Sequence, residues 1–334
     1  MKRIGFLYNK IYQYENLCLA FSKAAKGKHD RHEVIAFKHS FESNITNIQR
    51  ELIDHKPDIG NYYFFKVYDP KPRDICAACF KERLLHHAII NICEPYLDSF
   101  VISDSYACRK NKGSHKAVSK AKKLSKKYSW YLKMDIKKYF DSIDHIILID
   151  LLARRFKDEK LLDLFSKIFN TYHTKAGKGL PIGNLISQHM ANFYLGVFDH
   201  FIKQEMRIPG YIRYMDDFLV FGDSRHELKT RLIKIKDFLD KKLSLKLKHN
   251  VQLNRVKYGI PFLGYRIFPE KILLNPQSRK RFIYKLRMYE KKWLTGEWTV
   301  KELIRHMEPL LEFTKNADAH GLRKDIIDKF GVWS

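Results

Sequence analysis

Residues 211–221 read Tyr-Ile-Arg-Tyr-Met-Asp-Asp-Phe-Leu-Val-Phe, and no other segment restricts the fold as tightly. Val, Ile, Phe and Tyr on either side of the acidic pair favour two extended strands. Met215, Asp216 and Asp217 then fall in the tight turn that joins them. Such a hairpin tip brings two carboxylates into one small volume. Like charges so placed repel unless positive charge lies between them, and hard divalent cations with oxygen ligands are the usual solution. The dipeptide alone favours an ordinary solvated turn, and it is the rest of the chain that reverses this.

A second β-prone run, Trp130 to Met134, delivers Asp135 at its end, within Lys133-Met-Asp-Ile-Lys-Lys-Tyr-Phe-Asp-Ser-Ile-Asp144. A third carboxylate from a neighbouring strand is what two oxygen-liganded metals held ~3.5–4 Å apart require. Asp141 and Asp144 compete for that role but follow the strand, which places them in the next turn or helix start.

Charge narrows the partner. Sixty-three Lys and Arg against 37 Asp and Glu give a net +26, beyond what solubility needs. The excess points to a polyanion, with nucleic acid ahead of an anionic membrane because no amphipathic anchor is visible. Between Asp104 and Asp135 the chain has ten basic residues and no acidic one. Ser114 reads there as the N-cap of a helix with Ala117, Ala121 and Leu124 as its apolar stripe. Lys116, Lys120, Lys123 and Lys127 share an adjacent face, and charges all of one sign suit phosphates as readily as water. A second basic block, Arg279 to Lys292, interleaves its cations with Phe282, Tyr284 and Tyr289.

The 334 residues suit two or three subdomains. Helical period is read over 145–170, 187–203 (capped by Ser187) and 228–243, and strands at 62–68, 130–136, 211–221 and 262–268. Helices alternating with mostly antiparallel strands predict an α+β fold. No stretch approaches the ~18 apolar residues that cross a bilayer, and the first residues are broken by polar ones before a signal-peptide core forms. A cytoplasmic protein is expected. Five scattered cysteines argue against a disulfide framework, and Cys76-Ala-Ala-Cys79 has half a zinc-site spacing without a second pair.

Taken in order, these motifs resemble those of reverse transcriptases. The Asp135 segment is similar to motif A and Tyr214-Met-Asp-Asp217 to motif C. Tyr68-Asp-Pro-Lys-Pro-Arg-Asp-Ile75 with Lys81-Glu-Arg-Leu-Leu-His-His87 resembles the fingers motifs, and Gly179-Leu-Pro-Ile-Gly-Asn-Leu-Ile-Ser-Gln-His-Met-Ala-Asn192 resembles motif B. Phe262-Leu-Gly-Tyr265 is similar to the primer grip. Motif B has Pro181-Ile-Gly183 and Ser187-Gln188, a form that resembles reverse transcriptases of diversity-generating retroelements, as do Tyr106-Ala-Cys-Arg109 and Lys112-Gly-Ser-His115.

The resemblance implies a right-hand polymerase: an N-terminal region over 1–62, fingers over 63–134, palm over 135–272 and a short helical thumb over 273–334. It implies RNA-directed DNA synthesis that copies a template-repeat RNA with errors at adenines, fed by deoxynucleoside triphosphates. A basic pentameric accessory protein is the implied partner. Asp135, Asp216, Asp217 and the Ile136 carbonyl are the implied ligands of two Mg2+ ions, with Mn2+ as a substitute. Phe140 takes the place of the steric gate under the sugar. Arg73, Lys71, Ile182, Gly183 and Gln188 are implied around the incoming nucleotide. Lys116, Lys120, Lys123, Lys127, Phe262, Leu263, Gly264, Tyr265, Arg279, Lys280 and Arg281 are implied at the nucleic acid. Lys246 and Lys248 are both open as the cation near the leaving group. Two other readings remain: a retron- or group II intron-like reverse transcriptase, which this motif B form disfavours, and a non-catalytic RNA-binding scaffold. Loss of one of the three carboxylates would mark the scaffold, and none is lost.

Overall fold

A computed structural model describes residues 3–68 and 72–330, the last five of them by backbone alone. Two compact units are each assembled from separate stretches of chain: 1–108, 135–207 and 233–249 in the first, 109–134, 208–232 and 250–334 in the second.

The first unit is mainly helical. The helix Phe80–Phe100 packs against Tyr14–Ala25 and Leu185–Tyr194. Buried Asn16 joins two elements there by donating to the carbonyls of Ile11 (2.8 Å) and Ala88 (3.0 Å). Strands β1 (Tyr62–Val67) and β2 (Arg73–Ala78) form an antiparallel hairpin with Phe64 opposite Cys76. β2 is further held by the 181–184 loop: Cys76 N donates to the Ile182 carbonyl at 2.9 Å, and Ala78 N to Asn184 Oδ1 at 3.0 Å.

Two helices differ from their sequence expectation. The apolar period over 145–170 is divided into His145–Ala153 and Glu159–Asn170. Asp158 ends the continuity by capping the second helix at Leu161 N while its other oxygen accepts from Leu7 N and Tyr8 N. The period runs on because Phe156, Phe165 and Phe169 all enter one core. The helix expected from Ser187 to Lys203 begins at Leu185, with Asn184 at its cap; Ser187 is buried inside the first turn. It ends at Tyr194, and the short helix Gly196–His200 and a π-helical turn, Phe201–Glu205, follow.

The second unit holds a four-stranded sheet in the order β4-β5-β3-β6, where β3 is Trp130–Asp135, β4 Tyr211–Tyr214, β5 Asp217–Gly222 and β6 Gln252–Arg255. The β3–β6 and β4–β5 pairs are antiparallel. The helix Ser114–Lys127 packs against β4, burying Ala117, Val118, Ala121 and Leu124. Its cap is Gly113, at φ 106°, in place of the expected Ser114, which is the first helical residue and makes no capping bond. A three-stranded sheet, β7 (Ile260–Phe262), β8 (Tyr265–Ile267) and β9 (Ile272–Leu274), precedes the helices Pro276–Leu294 and Val300–Lys315. These two helices pack through Phe282 and Leu286 against Met307, Leu310 and Leu311. The mixture of helices with antiparallel strands is the predicted α+β class. Among the described residues no helix is long and apolar enough to cross a membrane.

Candidate active site

In the second unit Tyr214 lies opposite Asp217, so Met215 and Asp216 form a two-residue hairpin loop. Met215 has φ 52°. Left-handed backbone at the first loop position is ordinarily glycine's, and a bulky residue there carries strain of about 1–3 kcal/mol. Arg213, fully buried on β4, donates from Nη1 to the Met215 carbonyl at 3.2 Å. Asp217, the first residue of β5, lies 3.2 Å from Nζ of Lys133 on β3, the next strand in the sheet.

Asp135 closes β3. Its Oδ1 is 2.6 Å from Lys248 Nζ, and its backbone carbonyl accepts from Lys248 N at 2.8 Å. Lys137 N donates to the Lys246 carbonyl at 2.8 Å. These two bonds flank the antiparallel Ile136–Leu247 bridge. In such a pair the residue's own C=O points away from the partner strand, which leaves the Ile136 oxygen on the other side.

Among the described residues no three His, Cys, Asp or Glu side chains converge into a cluster that would hold a metal by itself. Asp135 and Asp217 instead face lysine ammonium groups, which supply the positive charge those carboxylates need. Carboxylate and carbonyl oxygens are nevertheless the donors that magnesium and manganese take, so the chemistry of the set fits a hard divalent ion. Burial pushes the Cys76 thiol up to about 11.

The expected nucleotide residues in the first unit are tied to one another through the backbone. Lys138 is left-handed at φ 45°, and Phe140, half-buried, lies in the short helix Tyr139–Ser142 that follows. The Phe140 carbonyl accepts from Leu180 N at 2.9 Å and the Ile143 carbonyl from Gly179 N at 2.8 Å, which fixes the entry to Pro181, Ile182 and Gly183. Gly183 has φ 122°, and a Cβ there would stand 2.8 Å from Ile75 Cγ2, so no larger residue fits. Gln188, half-buried on the helix Leu185–Tyr194, accepts from Cys108 Sγ at 3.4 Å. Arg73 is exposed at the start of β2. Lys71 lies outside the described residues.

For the nucleic-acid residues the structure makes one correction. Phe262 and Tyr265 are 1% and 0% exposed, and the Tyr265 hydroxyl donates to the Phe313 carbonyl at 2.6 Å. Both are core side chains, and neither is exposed to meet a nucleic acid; the turn between them is Leu263-Gly264. Lys116, Lys123 and Lys127 are exposed, Lys120 half-buried; Arg279 and Lys280 are exposed, Arg281 half-buried. Sequence reasoning missed Arg213 and did not foresee the Lys133 and Lys248 ion pairs. Arg213 had a signal, a cation in the middle of an apolar strand; the pairs are long-range and had none.

The family model described as reverse transcriptase (RNA-dependent DNA polymerase) matches residues 56–267, well over half the chain. The group II intron-encoded protein LtrA of Lactococcus lactis is 28% identical over 172 residues, 49% of this chain and 29% of that protein. Protein YkfC of Escherichia coli is 23% identical over 255 residues, 62% of this chain and 67% of that one. The chain thus spans under a third of LtrA. Among solved structures, apo telomerase from Candida tropicalis superposes with a TM-score of 0.53 at 12% identity, covering 80% of this chain and 59% of that one. At that identity the likeness concerns the fold alone.

Proposed function

This chain belongs to the reverse transcriptase family, and from that premise we propose that it is an RNA-directed DNA polymerase. The observation that carries the reading is the hairpin of Asp216 and Asp217, its strained Met215 held by buried Arg213, on the strand next to the one that ends in Asp135. Strain and buried charge concentrated at one turn are characteristic of functional sites.

In this reading Asp135, Asp216, Asp217 and the Ile136 carbonyl would hold divalent metal, its charge taking the place of the ammonium groups of Lys248 and Lys133 that face Asp135 and Asp217. Bound magnesium would supply Lewis-acid activation of a primer hydroxyl and neutralisation of the leaving pyrophosphate. The protein's own residues do the positioning. Phe140 packs beneath the sugar and excludes a 2′-hydroxyl. Arg73, with Lys71, grips the triphosphate, since a guanidinium pairs with two phosphate oxygens at once. The lysines and arginines of the 109–127 and 279–292 blocks follow the template and product backbones.

The finer reading is a diversity-generating retroelement enzyme. Its support is Pro181-Ile-Gly183 with Ser187-Gln188: a branched apolar residue at 182 cannot hydrogen-bond near the nascent pair, so geometric checking is loosened. A template-repeat RNA and a basic pentameric accessory protein belong to this reading. A group II intron-like enzyme is the second reading, favoured by the similarity to LtrA. Primer extension on an adenine-rich RNA, followed by sequencing of the cDNA, tests both levels. Metal-dependent cDNA with errors concentrated opposite adenine is the expected result. Evenly spread errors would leave the group II-like reading, and no cDNA with either ion would remove the polymerase assignment.

A further inference from the structure

In the second unit, cations are seated on aromatic rings at the end of β3 away from Asp135. Lys127 Nζ lies 5.5 Å from the centre of the Tyr128 ring, the Arg255 guanidinium 5.2 Å from that of Trp130 and Lys257 Nζ 5.3 Å from that of Tyr258. Arg266 and Lys271 both stand 5.8 Å from the centre of the Phe268 ring. Contacts of this kind occur about once in 70–80 residues. Five of them within the stretches 127–130, 255–258 and 266–271 are a concentration.

The three stretches are joined into one surface. Trp130 is opposite Arg255 in the β3–β6 pair, and Val256 N donates to the Ser129 carbonyl at 2.9 Å. Arg266 donates to the Tyr258 carbonyl from Nε at 3.1 Å and from Nη2 at 2.7 Å. Lys126 Nζ reaches Glu270 at 3.6 Å, and Glu270 is the one acidic residue in these stretches. Lys126, Lys127, Arg255, Lys257, Arg266 and Lys271 are all exposed, whereas Tyr128, Trp130 and Phe268 are half-buried. The fold fixes the rings and the rings hold the cations, so part of the ordering cost of binding is already met. Trp130 begins the strand that Asp135 ends, which sets roughly 17 Å of strand between this surface and that carboxylate.

We propose that this surface binds an unpaired segment of RNA away from the polymerase site. A guanidinium held over a ring offers its other face to a base, while the ammonium groups take phosphates, and neither selects a particular base. A duplex keeps its base faces stacked on one another, so it meets the charge here without the stacking. Arg255, Lys257, Tyr258, Phe268 and Lys271 fall outside motifs A, B and C and the primer grip. The choice of RNA over DNA rests on the polymerase reading, in which RNA is the template; the stacking surface itself does not.

Fluorescence anisotropy of the full chain with a labelled oligouridylate, which forms no stable pairs, is the test, run without metal or nucleotide. Arg255→Gln/Lys257→Gln/Lys271→Gln should weaken this binding roughly tenfold or more. Its affinity for a fully paired RNA duplex of the same length should stay at the parent's. Arg255→Lys/Arg266→Lys keeps the charge and removes the planar face. It should bind oligouridylate several-fold more weakly with an unchanged salt dependence, and it keeps the test valid if the triple variant unfolds. Parental oligouridylate affinity in either variant, or an equal loss for oligouridylate and duplex, would overturn the proposal. Because the readout needs no turnover, failure of the polymerase reading would appear in primer extension by the parent and leave the anisotropy result intact.

Discussion

The β4–β5 and β7–β8 hairpins each turn on two residues, Met215-Asp216 in one and Leu263-Gly264 in the other. In the second both loop residues are left-handed, φ 50° and 88°, the type I′ geometry that matches strand twist, with glycine at the second place. Its flanks, Phe262 and Tyr265, are buried, so the hairpin contributes packing. In the first hairpin a methionine takes the left-handed place, a buried arginine holds its carbonyl, and the flank is a carboxylate facing a lysine. Similar local backbones thus serve opposite ends. Met215 and Leu263 take the same left-handed first place, so what distinguishes the two turns is the charge around the first and the packing around the second.

The largest expected break between the two hairpins is catalytic. Asp217→Ala should lower primer extension about 10³-fold or more, the scale of losing a preorganised electrostatic group, while thermal unfolding stays near the parent's. Comparable cDNA yield would show that the charged hairpin is as structural as the other. Gly264→Ala should do the reverse. Its Cβ would meet Phe313 Cζ at 2.8 Å and Ser278 Oγ at 2.9 Å in a left-handed backbone. A loss of about 2–3 kcal/mol in denaturant unfolding is expected, larger than any such loss in Asp217→Ala. Activity lost at unchanged stability would erase the contrast.

Replacing Lys116, Lys120, Lys123 and Lys127 by Gln isolates phosphate binding from both turns. The log–log salt dependence of RNA affinity should flatten by roughly 0.7–0.9 for each phosphate no longer neutralised, and an unchanged slope would make this helix face merely solvated. The smallest effect concerns strain itself. Met215→Gly should raise stability by about 0.5 kcal/mol, the relief of a left-handed side chain less the entropy glycine adds to the unfolded chain. A clear loss of stability would mean that the Met215 side chain packs like those of the structural hairpin.

Local chemistry was readable from the sequence and long-range closure was not. The Asp-Asp hairpin, β3 ending at Asp135 and the helix 114–127 all follow from residues within a dozen positions of one another. The break at residues 154–158 was hidden because Asp158 acts through Leu7 and Tyr8, some 150 residues away. Ser187 looked like a cap because its type favours one, yet Asn184 stands there and gives its side chain to β2. Phe262 and Tyr265 sat in a motif whose exposure only the fold reveals. The choice between Lys246 and Lys248 is likewise tertiary: Lys248 pairs with Asp135, and Lys246 lines a cavity.

The seam between β2 and the 181–184 loop has a further consequence. Ile182 is fixed by its carbonyl and Asn184 by its amide oxygen, while Gly183 between them has no room for a single added carbon. Position 182 is therefore anchored without help from its own side chain. An apolar group there can be exchanged for an amide while the backbone bonds that fix the loop stay in place. The neighbour that permits this freedom has none of its own.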